Sequence, residues 1–145
     1  MTPNWLDTYE MLDLMLGRTG IKHFQAREFT RPSVHKGVVN QPVPERYMDN
    51  ICVLARLLER IRADFGGAPV FVLSGYRSPS YNKTVGGSTY SQHMYGRAAD
   101  IQVLGVRPKE VFDWMEKHMP TGGRGRYRTW THVDVRPKYA RWIKL

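Results

Sequence analysis

The residues able to do chemistry fall in two places. His93 sits in a long polar loop, Ser74 to Arg97, and Asp100 follows seven residues later. His132 lies within Trp130-Thr131-His132-Val133-Asp134. Side chains alternate along a strand, so Trp130, His132 and Asp134 share one face. If the segments carrying Asp100 and His132 are neighbouring strands, His93, Asp100 and His132 converge. Two imidazoles and one carboxylate form a tetrahedral zinc set that leaves the fourth position to water. Spacing alone is a weak signal, because a histidine at a loop end is commonly just a hydrogen-bonded polar residue. His23, His35 and His118 have no partners at ligand spacing and are expected to be structural or on the surface. Gly122-Gly123-Arg124-Gly125 is not a phosphate loop, since no Gly-Lys-Ser/Thr follows it. Cys52 is the only cysteine, which excludes an intramolecular disulfide and a cysteine-based zinc cluster.

These residues need a scaffold, and the periodicity supplies one. A first helix is expected from about Pro3 to Leu16, stopped by Gly17 and Gly20. Residues 30–44 hold three prolines and read as a loop. From Glu45 to Phe65, Met48, Ile51, Leu54, Leu58, Ile61 and Phe65 recur every three or four residues, one apolar helical face ended by Gly66-Gly67. Val70 to Leu73 and Ala98 to Val103 read as strands, and Arg128 to Val135 as a third. A helix from Pro108 to about Met119 and a turn from Pro120 to Gly125 lie between the last two. Helices first and sheet second give an α+β class, with N-terminal helices packed on a small antiparallel or mixed sheet.

At 145 residues the chain is one domain's worth, with 41% apolar and 24% charged residues. Nothing approaches an 18-residue apolar run, so a transmembrane helix is excluded. The first twenty residues carry Asp7, Glu10 and Asp13, unlike a secretory signal peptide, so synthesis in the cytoplasm is expected. The net charge is +9, which suits an anionic partner, nucleic acid or envelope polymer. From Thr121 onward there are seven basic residues and one acid, Asp134, interleaved with Tyr127, Trp130, Tyr139 and Trp142. That pattern fits a nucleic-acid surface, because cations track phosphates and aromatics stack on bases. It equally fits a solvated basic face over buried aromatics.

A longer pattern joins the two clusters. Ser74-Gly75-Tyr76-Arg77-Ser78-Pro79, Tyr81-Asn82, Val85-Gly86-Gly87, Ser91-Gln92-His93, Gly96, Ala98-Ala99-Asp100-Ile101 and His132-Val133-Asp134 resemble the zinc D-Ala-D-Ala carboxypeptidase and murein endopeptidase family, peptidase family M15. Lys22-His23-Phe24 and Glu28-Phe29-Thr30 resemble the opening segment of its M15A-like members. The likeness covers about residues 21–136 of a single domain spanning 1–145. Residues 1–20 are left as a helical extension and 137–145 as a basic C-terminal tail. The resemblance implies the hedgehog/D-Ala-D-Ala-peptidase-like fold and one Zn2+ per chain on His93, Asp100 and His132. It also implies that Arg77 faces a substrate carboxylate or the developing oxyanion, and that Ser91 contacts substrate. A guanidinium suits either task of Arg77, being always charged and forked.

The general base departs from the family. Relatives carry an acid shortly before the last histidine ligand, whereas Arg124 to Thr131 contains none. Asp134 is the nearest carboxylate, about 7 Å along the strand from His132. It is open to two roles, taking the proton of the zinc water or orienting the His132 ring, and the first is slightly favoured. Tyr127 is a further candidate for proton transfer or oxyanion contact. The implied function is a monomeric zinc peptidase cutting a peptide bond of bacterial peptidoglycan, by carboxypeptidase or endopeptidase action, as a phage lysin would. Its charge would serve adhesion to anionic envelope polymers, at the wall or in the periplasm. Two alternatives stand beside it: a non-catalytic zinc-containing module that binds wall peptide, as the resemblance to hedgehog domains allows, and a basic nucleic-acid binder.

Overall fold

The computed structural model describes residues 4–145. Its first helix, α1 (Trp5–Arg18), is capped by the Asn4 side chain, which accepts the Asp7 N–H. The expected start at Pro3 lies outside the described residues. A single turn, α2 (Ala26–Phe29), follows, and then a two-residue hairpin, β1 (Val34–His35) with β2 (Val38–Val39), inside the proline-rich stretch. A 3₁₀ turn, Glu45–Tyr47, leads into α3 (Met48–Asp64), which buries Ile51, Leu54, Leu58 and Ile61 along one stripe. Each such side chain contributes roughly 1.5–3 kcal/mol when fully buried.

The main sheet has five strands: β3 (Val70–Ser74), β4 (Ala98–Val103), β5 (Gly122–Tyr127), β6 (Thr131–Asp134) and β7 (Tyr139–Lys144). Their order is β3-β4-β6-β5-β7, antiparallel throughout except for the parallel pair β5–β7. The fold is therefore α+β with a mixed sheet. A short helix, α4 (Pro79–Thr84), and a 3₁₀ turn, Gln92–Tyr95, interrupt the long loop. Helix α5 (Pro108–His118) joins β4 to β5.

Two expectations from sequence are corrected. Pro120 to Gly125, expected as a turn, contains most of β5. Glycine weakens a strand on its own, but here Gly123 and Gly125 are needed. A Cβ on Gly123 would collide with the Asp134 carboxylate, and one on Gly125 with the Trp142 indole. Residues 137–145, expected as a tail, hold β7, an edge strand whose parallel pairing with β5 is tertiary in origin. The third strand, expected over Arg128 to Val135, is trimmed to Thr131–Asp134.

Strand alternation sorts the sheet into two faces. Ala99, Ile101, Val103 and Val133 are buried in the core with the apolar stripes of α3 and α5. Asp100, His132, Asp134 and Tyr127 point to the opposite face, where the loop after β3 closes over them. Arg124, on the helix side, is fully buried. Its guanidinium donates to the carbonyls of Met115, Met119, Thr121 and Gly122 and to Glu116, satisfying the free end of α5.

Candidate metal centre

Asp100 on β4 and His132 on β6 are directly opposed partners, and Ser74 on β3 flanks Asp100 on its other side. His93 arrives from the 3₁₀ turn, which the Ser91 hydroxyl caps by accepting the His93 N–H at 3.3 Å. Three ligand atoms, one from each of His93, Asp100 and His132, lie within 4.8 Å of one another. Asp100 Oδ1 is 3.3 Å from His93 Nε2 and 3.0 Å from His132 Nδ1.

The outer nitrogen of each histidine is held by a partner of its own. His93 Nδ1 donates to the Gly75 carbonyl at 2.8 Å, and a carbonyl only accepts. Its Nε2 is therefore left with a free lone pair facing Asp100. His132 has a carboxylate at each ring nitrogen, with Nε2 at 2.7 Å from Asp134 Oδ2 on the outer edge and Nδ1 at 3.0 Å from Asp100 Oδ1 on the inner one, so Nδ1 is the nitrogen that faces the ligand cluster. Histidines bound to a metal characteristically have the other ring N–H held by a carbonyl or carboxylate in this way. Two imidazole nitrogens and one carboxylate oxygen, with space open beside them, fit zinc.

The electrostatics follow from crowding. Burial lowers the His93 pKa, against the pull of Asp100. Burial opposes charge on His132 too, but hydrogen bonds to Asp100 and Asp134 outweigh it and raise that pKa. For Asp100 burial favours the neutral acid, yet the hydrogen bonds and charge of His132 and His93 hold its carboxyl well below the usual range. Asp134 is likewise pushed up by burial but held well below that range by His132 and Arg136.

The three ligands open onto a cleft of about 400 Å³ that is also lined by Arg77, Ser91, Tyr127, Trp130, Arg136, Trp142 and Lys144. Arg77 donates to Ser74 Oγ at 3.1 Å and to Asp100 Oδ2 at 3.3 Å, so it holds the ligand oxygen that faces away from the histidines. Tyr127, at the end of β5, stacks on Trp130 with ring centres 4.6 Å apart. Ser91 is buried at the rim and spends its hydroxyl on the turn.

Asp134 does not reach the open side. It is fully buried and bonded behind His132, with Oδ1 accepting from the Gly123 and Arg136 backbone N–H groups at 2.7 and 3.1 Å. Arg136 adds a fork, Nε at 2.9 Å from Oδ1 and a terminal nitrogen at 2.7 Å from Oδ2. Strand parity gave the right face for Asp134, and of the two roles open to it, proton acceptor or partner of the His132 ring, its position behind His132 and out of the cleft lining favours the second. The sequence reading also missed Arg136 and Trp142. The signal for both was strand parity, Arg136 two residues after Asp134 and Trp142 two before Lys144.

The remaining histidines lie away from the centre. His23 pairs with Glu59 at 2.7 Å, and His118 stacks on Trp114 at 4.7 Å. Cys52 is buried and free.

The family model for peptidase M15 matches residues 22–134. The chain belongs to the peptidase M15 family. It is also 42% identical over 52 residues to the zinc D-Ala-D-Ala carboxypeptidase of Streptomyces albus G. That match covers 36% of this chain and spans about a fifth of the relative, 20% of its length. The metal centre, β3, β4 and β6 all fall inside the M15 stretch, whereas Arg136 and β7 fall beyond it. No helix among the described residues is long and apolar enough to cross a membrane.

Proposed function

We propose that this chain is a zinc-dependent peptidase acting on the peptide of bacterial peptidoglycan, with one zinc per chain on His93, Asp100 and His132. The observation that supports it most is the convergence of one ring nitrogen from each histidine on the Asp100 carboxylate, inside an M15 chain. Zinc there supplies a Lewis acid that polarises the scissile carbonyl and activates water. The protein's own groups do the rest. Arg77 steadies Asp100 and, held also by Ser74 and Asn82, lines the cleft where its charge would meet a substrate carboxylate or an oxyanion. Tyr127 offers a phenol to the reacting carbonyl. Ser91 sets the His93 turn and forms the rim that substrate passes. Asp134 orients His132, and Gly75 orients His93.

Cations outnumber acids in the cleft: Arg77, Arg136 and Lys144 line it with Asp100 as its one carboxylate. That balance suits a substrate rich in carboxylates, as wall peptides are. The basic C-terminal stretch is less uniform than its sequence suggests. Arg124 is buried, Arg136 is paired with Asp134, and Arg141 is paired with Glu116. The remaining cations suit adhesion to anionic envelope polymers more than a continuous track for nucleic acid.

One observation favours a second reading. Asp100, itself a ligand, is the sole carboxylate lining the cleft, which leaves a zinc-holding module that binds wall peptide without cutting it. Zinc-loaded protein incubated with purified sacculi separates the two. New amino termini or released D-alanine, abolished by chelator, support the peptidase; saturable binding with no products supports the module, and neither result would refute both.

A further inference from the structure

Strand β7 lies beyond the residues matched by the family model, and the reading above gives its tryptophan, Trp142, no task. In the sheet, Gly125 is paired on one side with His132 and on the other with Trp142. The three residues therefore point to the same face, side by side. Gly125 carries no side chain, and the Trp142 indole occupies the bare space. A Cβ on Gly125 would collide with Nε1 and Cε2 of that indole.

Lying across Gly125, the indole reaches two members of the site. Its ring centre is 4.9 Å from that of His132, at an interplanar angle of 49°. Its Nε1 donates to the Tyr127 hydroxyl at 3.0 Å. An indole N–H can only donate, so the Tyr127 oxygen must accept, and the phenol's own hydrogen remains free to be given away. Trp130 stacks on the other aromatic ring of this wall, and the Arg136 guanidinium lies 5.5 Å from the Trp142 ring. The bare strand thus seats a layer of side chains behind and beside the metal centre.

We propose that Trp142 is a positioning residue of this centre: it packs His132 with Nδ1 turned to the ligand cluster, and it fixes Tyr127 as a hydrogen-bond donor toward the substrate. Gly125 is its seat. The part concerning Tyr127 rests on the peptidase reading; the part concerning His132 rests on the metal centre alone.

The test therefore has two arms. Zinc affinity is measured by chelator competition, without substrate, on the full chain and on its Gly125→Ala and Trp142→Ala variants. Both variants are expected to bind zinc about tenfold more weakly, as for loss of a group that shapes the surroundings of a ligand. Trp142→Phe keeps a ring over Gly125 and removes only the N–H. It is expected to hold zinc as the unaltered protein does and to lower kcat about tenfold at constant KM, the size of one lost hydrogen bond in the transition state. Tyr127→Phe should lose as much, and the double variant no more than either single one, because the two changes break one unit. Unchanged zinc affinity in both Gly125→Ala and Trp142→Ala overturns the role toward His132. Independent, multiplying losses in Trp142→Phe and Tyr127→Phe overturn the role toward Tyr127. If no peptide is cut at all, the peptidase reading has failed and the zinc arm still decides on His132.

Discussion

Asp134 Oδ2 lies 2.7 Å from His132 Nε2, on the edge of the ring opposite the one that faces Asp100. The carboxylate is immobilised by Arg136 and the Gly123 N–H, so in the proposed metal centre it would act through the imidazole. Asp134→Asn is expected to weaken zinc binding about 10- to 100-fold, and excess zinc should restore much of the activity. A metal titration of that variant checks this. Full zinc affinity with a kcat loss of about 10²–10⁴ would instead be the mark of a general base.

Arg77 is bonded to Asp100, Ser74 and Asn82 and lines the cleft beside them. Arg77→Ala should lower kcat/KM by about 10²-fold or more with little change in Tm. Arg77→Lys should fail as well, because a point charge cannot span Ser74, Asp100 and a substrate group. A variant that loses its Tm along with its activity would assign Arg77 to the scaffold.

Arg124 is the scaffold's own cation. Arg124→Met leaves the carbonyls of Met115, Met119, Thr121 and Gly122 without their shared donor in a buried setting. The expected cost is about 3–5 kcal/mol, as for breaking a buried charged network, read as a lower denaturant midpoint. A midpoint within experimental error of the unaltered protein would show that water or backbone shifts replace the guanidinium.

Arg141 and Lys144 belong to one strand but to opposite faces. Arg141 faces Glu116 and the Phe112 ring, with the guanidinium 5.1 Å from the latter, whereas Lys144 lines the cleft. Lys144→Ala should raise KM for a carboxylate-bearing wall peptide and leave Tm unchanged. Arg141→Ala should do the reverse, lowering Tm by a few degrees, as expected from a loss of about 1 kcal/mol in a domain of this size. Parallel kinetics and melting curves decide it, and identical phenotypes would contradict the two-face assignment.

Glu59 ties the segment entering α2 to α3. Its carboxylate accepts from the Lys22 and His23 backbone N–H groups at 2.7 and 3.0 Å and pairs with the His23 ring. Burial raises its pKa, but those partners outweigh it and leave the folded value below the ordinary 4.5. A lowered folded pKa means stability that is full above the unfolded value and lost as the pH falls through the folded one. Glu59→Gln should therefore destabilise the protein by about 1–2 kcal/mol at neutral pH, with the gap closing in acid. Urea midpoints at several pH values test this, and a gap independent of pH would exclude the charge as its source.

What the sequence determined by itself is local. Apolar spacing marked α3, which buries one stripe, and the segments that became β3 and β4. Alternation placed His132 and Asp134 on one face. The two histidines and Asp100 were a weak signal on spacing alone, because residue type without position leaves many chance sets, and they read as a zinc set through the likeness to M15. Tertiary structure decided the rest. β5 is a strand because its neighbours' side chains cover its glycines, and no local propensity carries that information. β7 pairs in parallel with a strand twelve or more residues away, so a short basic segment gave no sign of it. The place of Asp134, behind the His132 ring and out of the cleft, was set by its partners Gly123 on β5 and Arg136 beyond β6. Strand parity gives a face; only the packed sheet sets which atom on that face meets which.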